Sequence, residues 1–195
     1  LLLEASARWG NRATVAVITN PVLTRSELIE EIARRLGVEP PSGASKPRLM
    51  GCLERALGDV TARSQVPVLV IEDAHQLTAE LLDELRLVVN SEAQAGRAFE
   101  IALVGLPSLE SQLSTPGLAS FQQRIAVHCR LEPLSHQETR HYLHHRVNAT
   151  GGDGPKLFPR RVCSDIHDRA RGVPRAINML AAEALRLARA AGQGE

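Results

Sequence analysis

The sequence predicts an α/β fold, a parallel sheet with helical crossovers followed by a small helical appendage, and three observations carry that prediction. The segment Val66-Pro67-Val68-Leu69-Val70-Ile71 is an unbroken apolar run of strand length that ends on two carboxylates, Glu72 and Asp73. A strand apolar on both faces is what a buried parallel strand looks like. Strand-like and helix-like segments alternate between residues 13 and 104, which is the pattern of right-handed βαβ units. Beyond Pro133 the strand pattern stops and helix start and stop signals recur.

Composition bounds the rest. The chain has 195 residues, 44% of them hydrophobic, enough to bury a substantial core. Its 23 basic and 22 acidic residues nearly cancel, so there is no electrostatic footprint for bulk nucleic-acid or membrane-surface binding. No stretch approaches the roughly 18 apolar residues of a membrane span. Leu1-Leu2-Leu3 is too short for a signal peptide and lacks its basic flank. Cys52, Cys129 and Cys163 stand far apart and in no metal-ligand spacing. A reducing cytoplasm is the simplest compartment for them.

In chain order, residues 1–9 are apolar and helix-forming from the first position with no cap, so they read as a helix whose start lies upstream. Residues 13–19 are short and β-branched, hence a strand, and Asn20-Pro21 stops it. Thr24 with Glu27 forms a capping box, and Leu28, Ile29, Ile32, Ala33 and Leu36 follow the helical period up to Gly37. Residues 40–47 read as a loop. Leu49, Leu53, Ala56, Leu57 and Val60 mark a second helix leading into the acidic strand. Thr78 caps a third, apolar at Leu81, Leu82, Leu85, Val88 and Val89 and polar at Glu80, Asp83, Glu84 and Arg86. A strand is expected over 98–104, broken by Gly105 and Pro107. Helical turns follow over 108–113 and 121–124, and alternation over 125–131 predicts a last strand. Ser135 with Glu138 opens a helix to about Asn148, residues 151–155 read as a flexible connector, Pro159 opens a helix closed by Gly172, and Pro174 opens the last. The expected division is an α/β core over 1–131 and a three-helix domain over 132–195.

The two carboxylates are the chemical centre. Ligands bind at the C-terminal edge of an open α/β sheet, and alternation along a strand should aim one of Glu72 and Asp73 at that crevice and the other away or along the rim. A nucleoside triphosphatase uses this arrangement, one carboxylate holding Mg²⁺ and its neighbour polarising the attacking water. A strand followed by a solvated acidic turn fits the same residues equally.

Taken together, the residues resemble a known family. Thr19-Asn20-Pro21-Val22-Leu23-Thr24, Val70 to Leu77 with Leu81-Leu82-Asp83-Glu84-Leu85-Arg86, Leu103 to Leu109, Gln123-Arg124-Ile125, Leu131 to Ser135, and Gly172-Val173-Pro174-Arg175-Ala176-Ile177-Asn178 are similar in order and spacing to AAA+ ATPases of the general secretion pathway protein A (ExeA/GspA) type. DamX-related, MshM and TniB-like proteins are relatives of that type. The resemblance covers nearly the whole chain. It implies a P-loop NTPase core with a helical lid, ATP and Mg²⁺ as cofactors, and Glu72 and Asp73 as the metal-binding and water-activating pair of the Walker B motif. It implies Arg175, placed by Pro174, as the sensor 2 arginine, and Arg124 as an arginine finger acting in trans, with Arg130 a near alternative. Oligomerisation, secretion or pilus assembly components as partners, and the cytoplasm or the cytoplasmic domain of an inner-membrane protein as location follow from the same resemblance. A transposition-type relative would load on DNA instead, a partner the charge balance does not indicate.

The chain departs from the family in three places. The acids stand as Glu-Asp where the family has Asp-Glu, which would slow hydrolysis by leaving the shorter Asp73 farther from the water or would be a tolerated swap. Leu106 stands where the family often has a polar sensor 1 residue. No Gly-rich phosphate loop is present, since neither Lys46 nor Lys156 follows Gly or precedes Ser or Thr. In the family that loop lies directly before the segment matching residues 1–9, so the expectation is a chain cut just after it, lacking the first strand and inactive alone. Two further clusters remain. His141, His144 and His145 share one predicted helix, with the i, i+4 pair spaced for a metal but read as solvated. Arg160, Arg161, Arg169 and Arg171 offer a basic cluster for nucleic acid or an acidic partner but read as a solvated helix face.

Overall fold

The protein is described by a computed structural model covering residues 8–94, 96 and 99–192. It divides into two compact units between Val127 and His128. In the first, β1 (Ala13–Ile18), β2 (Val66–Ile71) and β3 (Glu100–Leu103) form a parallel sheet in the order β1-β2-β3. The register pairs Ile18 with Ile71 and Ile71 with Leu103, so the three strands end level.

Three helices supply the apolar cover. α1 (Arg25–Arg35) begins on the expected capping box, with the Thr24 N–H donating to Glu27 Oε2 at 2.7 Å and the Glu27 N–H to Thr24 Oγ1 at 3.3 Å. α2 (Lys46–Ala62) and α3 (Ala79–Gln94) follow. Ile29 and Ile32 of α1, Leu53 and Leu57 of α2, and Leu82 and Leu85 of α3 share one core with Leu69 and Ile71 of the sheet. Each such side chain contributes roughly 1.5–3 kcal/mol of burial. α4 (Ser108–Leu113) and α5 (Ala119–Gln122) close the unit, anchored by Leu109, Leu113 and Phe121.

The second unit holds α6 (His136–Asn148), α7 (Gly154–Leu157), α8 (Arg160–Ala170) and α9 (Pro174–Ala190). Leu143, Phe158, Cys163, Ile166 and Ile177 form its core. α6 opens on the second capping box, Ser135 with Glu138. α8 ends where Arg171 and Gly172 turn left-handed, at φ 51° and 72°. Leu134 donates its N–H to Gly172 O at 2.9 Å, and a Cβ on Gly172 would overlap the Leu134 carbonyl oxygen. Only glycine fits this junction.

Five expectations need correction or qualification. Residues 125–131 form no strand: their alternation finds no ladder partner among the described residues, and Val127 and Leu131 stay 81% and 74% exposed. Residues 151–155 are not a flexible connector, because Asp153 caps α7 and the Gly154 N–H donates to Asn148 Oδ1 at 2.8 Å. Pro47 lies in the first turn of α2 rather than in the preceding loop, a position where its missing N–H costs nothing. Glu84 is not on the solvent face of α3; it is 2% exposed and accepts from Lys46 Nζ at 2.8 Å, since a buried carboxylate needs a partner. The helix expected over 1–9 lies outside the described residues except for Arg8 and Trp9, which are helical, as does Ala98 of the expected third strand.

Two measurements test this packing. Lys46→Ala leaves the Glu84 charge buried and unpaired and is expected to cost about 2 kcal/mol in urea unfolding, most of it recovered by Lys46→Met with Glu84→Leu; a loss below about 0.5 kcal/mol would show the pair to be inert. The Ser135 backbone N–H, and after it the hydroxyl, hold the Glu138 carboxyl below the ordinary glutamate range. The fold therefore prefers the charged form, whose contribution is complete above about pH 4.3 and is lost as pH falls through the lower folded-state value. An NMR titration is expected to place the Glu138 midpoint below that of glutamate in an unstructured peptide, and an equal midpoint would contradict the capping account.

Candidate functional site

The site is the rim where the level strand ends stop. β2 is buried from Val68 to Ile71, and a charged side chain placed there would have to leave water, so the acids begin where the apolar run ends. Three backbone bonds fix that end. The Glu72 N–H donates to Ile18 O at 2.8 Å, Val104 donates to Ile71 O at 2.9 Å, and Ala74 donates to Val104 O at 2.9 Å. Glu72 is thus held on the ladder although it lies past the last strand residue.

Asp73 leaves the ladder. Its backbone is left-handed, at φ 50° and ψ 33°, and starts the 3₁₀ turn Ala74–Gln76. Aspartate tolerates this conformation better than most non-glycine residues. Simple strand alternation therefore holds as far as Glu72 and does not extend to Asp73. Glu72 is half-buried and Asp73 exposed, and among the described residues neither carboxylate is paired with a cation or a hydrogen-bond donor.

His75 is the residue that sequence reasoning passed over. It is half-buried in the same turn, and its Nδ1 accepts the Leu106 N–H at 3.4 Å. A Cβ on Gly105 would come within 3.0 Å of the His75 backbone nitrogen and 3.3 Å of Nδ1. The loop after β3 thus lies directly against the turn after β2, and the absent Gly105 side chain is what permits it. The signal was present in the sequence as a histidine two residues after the acids and a glycine ending the next strand. Gln112 of α4 donates its side-chain amide to Leu77 O, tying a third element to the turn.

The remaining sequence-derived residues lie elsewhere. Arg124 is exposed just after α5, its N–H bonded to Phe121 O at 3.0 Å. Pro174 and Arg175 are the first two residues of α9 in the second unit, both exposed. Leu106 is 59% exposed. His141 and His145 face outward, while His144 turns inward and bonds Phe158 O at 2.9 Å through Nε2, so these three do not converge.

The donor type at the rim fits Mg²⁺, which takes carboxylate oxygens and water. The phosphate side of such a site is a run of backbone N–H groups with a following lysine. The 195 residues contain no such run, Lys46 is engaged by Glu84, and Lys156 lies in α7 of the second unit.

Comparison with known proteins agrees with this architecture. A family model described as AAA domain matches residues 1–113. The chain is 30% identical over 178 residues to General secretion pathway protein A of Aeromonas hydrophila, an alignment covering 91% of this chain and 32% of that protein. The chain thus spans about a third of that relative's length. The crystal structure of Cdc6p from Pyrobaculum aerophilum superposes with a TM-score of 0.73 at 20% identity, over 98% of this chain and 52% of that one. The Aeropyrum pernix Orc1 protein, solved in complex with DNA, superposes with a TM-score of 0.50 at 16% identity, over 93% and 54%. At these identities the two structures share the fold.

Gly105→Ala tests the rim. The methyl group must displace the His75 turn by a few tenths of an ångström, so the variant is expected to lose about 1 kcal/mol and to shift the His75 ring resonances. Unchanged His75 resonances would show that the two loops are not in contact.

Proposed function

This chain belongs to the AAA domain family, and from that premise we propose that it is the ATPase domain of a protein that uses ATP binding and hydrolysis as a motor or switch in assembling a bacterial secretion or pilus machine. What supports this reading is the adjacent carboxylates Glu72 and Asp73, unpaired among the described residues, at the end of the buried central strand, together with the identity to a general secretion protein.

In this proposal Glu72, fixed by its ladder bond, holds Mg²⁺ from one side, and the Asp73 carboxylate accepts a hydrogen bond from the attacking water and orients it. The metal, when bound, offsets charge on the phosphate oxygens. Arg175, set at the start of α9 by Pro174, is the sensor arginine. Arg124 is the finger supplied to a neighbouring copy in an oligomer, a role worth on the order of 10³ to 10⁵ in rate in other phosphoryl-transfer systems. The 195 residues alone are hydrolysis-defective in this account, because they contain no phosphate loop.

A second reading is a weakly hydrolysing or non-catalytic regulator that loads on DNA. Two observations favour its weak hydrolysis: an aliphatic Leu106 stands in the loop after β3 with its N–H taken by His75, and Asp73 has turned off the ladder.

Nucleotide affinity and turnover are to be measured on the 195-residue chain and on the whole protein, each with and without DNA. The expected result is no saturable ATP binding to the chain below about 1 mM, and tight Mg²⁺-dependent binding to the whole protein with turnover lowered at least tenfold by Asp73→Asn. Equal binding by both would contradict the assignment of the missing phosphate loop. Turnover unchanged in Glu72→Gln and Asp73→Asn would contradict the carboxylate roles, and stimulation only by DNA would favour the second reading.

A further inference from the structure

The second unit contains a cluster that no role above uses. His136, the first residue of α6, and His167 and Asp168, near the end of α8, present donor atoms that all lie within 4.8 Å of one another. His136 Nε2 and Asp168 Oδ1 are 3.3 Å apart. That separation is the edge of a tetrahedron whose metal bonds are about 2.0–2.1 Å long. The third donor therefore has to close by at most about 1.5 Å. The His136 and Asp168 side chains are 58% and 63% exposed, so closure requires little repacking around them.

Each imidazole has a hydroxyl within reach of its Nδ1. His167 Nδ1 lies 2.9 Å from the hydroxyl of Thr139, which is fully buried. His136 Nδ1 lies 3.4 Å from Ser164 Oγ. In the tautomer whose Nδ1–H donates to each hydroxyl, each Nε2 carries the bare lone pair that a metal requires. A hydrogen-bond acceptor on the second nitrogen is the usual support of a ligating histidine, and a hydroxyl oxygen can serve as one. The rings pack against each other, with centroids 3.7 Å apart and planes tilted by 40°. A bare His136–Asp168 ion pair does not account for the geometry: between groups this exposed such a pair contributes about 0–1 kcal/mol and gives His167 and its buried Thr139 support no part.

We propose that His136, His167 and Asp168 form a transition-metal site that takes Zn²⁺ or a similar divalent ion, with water completing the shell, and that the ion clamps α6 to α8. Two imidazoles and one carboxylate favour zinc, cobalt or nickel over magnesium or calcium, which prefer oxygen donors alone. The site is separate from Glu72 and Asp73 in chain and chemistry, so its test is independent of the ATPase reading. Cys163 stands four residues before His167 but is buried and directed at Phe158 O at 3.2 Å, and Glu132 stands four residues before His136 but outside α6, so spacing arguments do not mark the site and instead single out His141 and His145.

Zn²⁺ and Co²⁺ titrations of the 195-residue chain by calorimetry and visible absorption test the proposal. The expected result is one ion per chain, a Co²⁺ spectrum of low coordination number, a raised melting temperature, and no displacement by millimolar Mg²⁺. His136→Ala, Asp168→Asn and His167→Ala are each expected to weaken Zn²⁺ at least tenfold, and Thr139→Val to weaken it by roughly tenfold through the lost orientation of His167. His136→Ala and Asp168→Asn alter exposed groups, so they remain informative should the His167 variant fold poorly, and circular dichroism checks each. No saturable binding up to about 1 mM Zn²⁺, or binding unaffected by His136→Ala and Asp168→Asn, or binding abolished instead by His141→Ala with His145→Ala, would overturn it.

Discussion

Everything at the candidate site depends on how the central strand ends. A buried parallel strand must satisfy its last backbone groups as fully as its first, and here Ile18 and Val104 accept from Glu72 and Ala74 while Ile71 accepts from Val104. Those bonds fix the backbone on either side of Asp73, and among the described residues both side-chain carboxylates are without a partner of their own. An apolar interior cannot keep an unpaired charge, so the acids stand at the first point along β2 where water is available. Position and chemistry thus have one cause.

The same economy explains the asymmetry of the sheet. β2 has a ladder partner on each side and is buried, whereas β3 is paired on one side among the described residues, and its Ile101, Ala102 and Leu103 are half-exposed. Val104 and Leu106 follow it into solvent. Residues 125–131 carry a strand's alternation, but alternation is only half of what a strand needs; with no ladder partner among the described residues the segment runs irregular and exposed. β1, the other edge, is also paired on one side among the described residues but buries Ala16 and Ile18, so the rim is less covered on the β3 side.

What could be read from the sequence was local, and what could not was not. Both capping boxes, Thr24 with Glu27 and Ser135 with Glu138, depend on residues three apart and formed as expected. The apolar faces of α1, α2 and α3 follow from the helical period alone. Glu84 looked like a solvent-facing residue because nothing within its own helix reveals that Lys46, 38 positions earlier, comes to meet it. The connector at 151–155 looked flexible because of its glycines, yet Gly154 is there for close approach, with the His144 backbone 2.6 Å from where a side chain would begin. At the site, the pair Glu72-Asp73 was legible as an acidic strand end. The left-handed turn at Asp73 and the approach of Gly105 to His75 were not, since both arise from how β2 and β3 stop side by side.

The central claim is that Glu72 and Asp73 face a metal–triphosphate. Replacing Mg²⁺ by paramagnetic Mn²⁺ in the whole protein with ATP, and mapping the line broadening of backbone amides, tests it most directly. The account predicts the strongest broadening at residues 71–75, fading along β1 and β3 away from the rim and lost in Glu72→Gln with Asp73→Asn. Broadening that spares residues 71–75, or that survives the loss of both carboxylates, would contradict it.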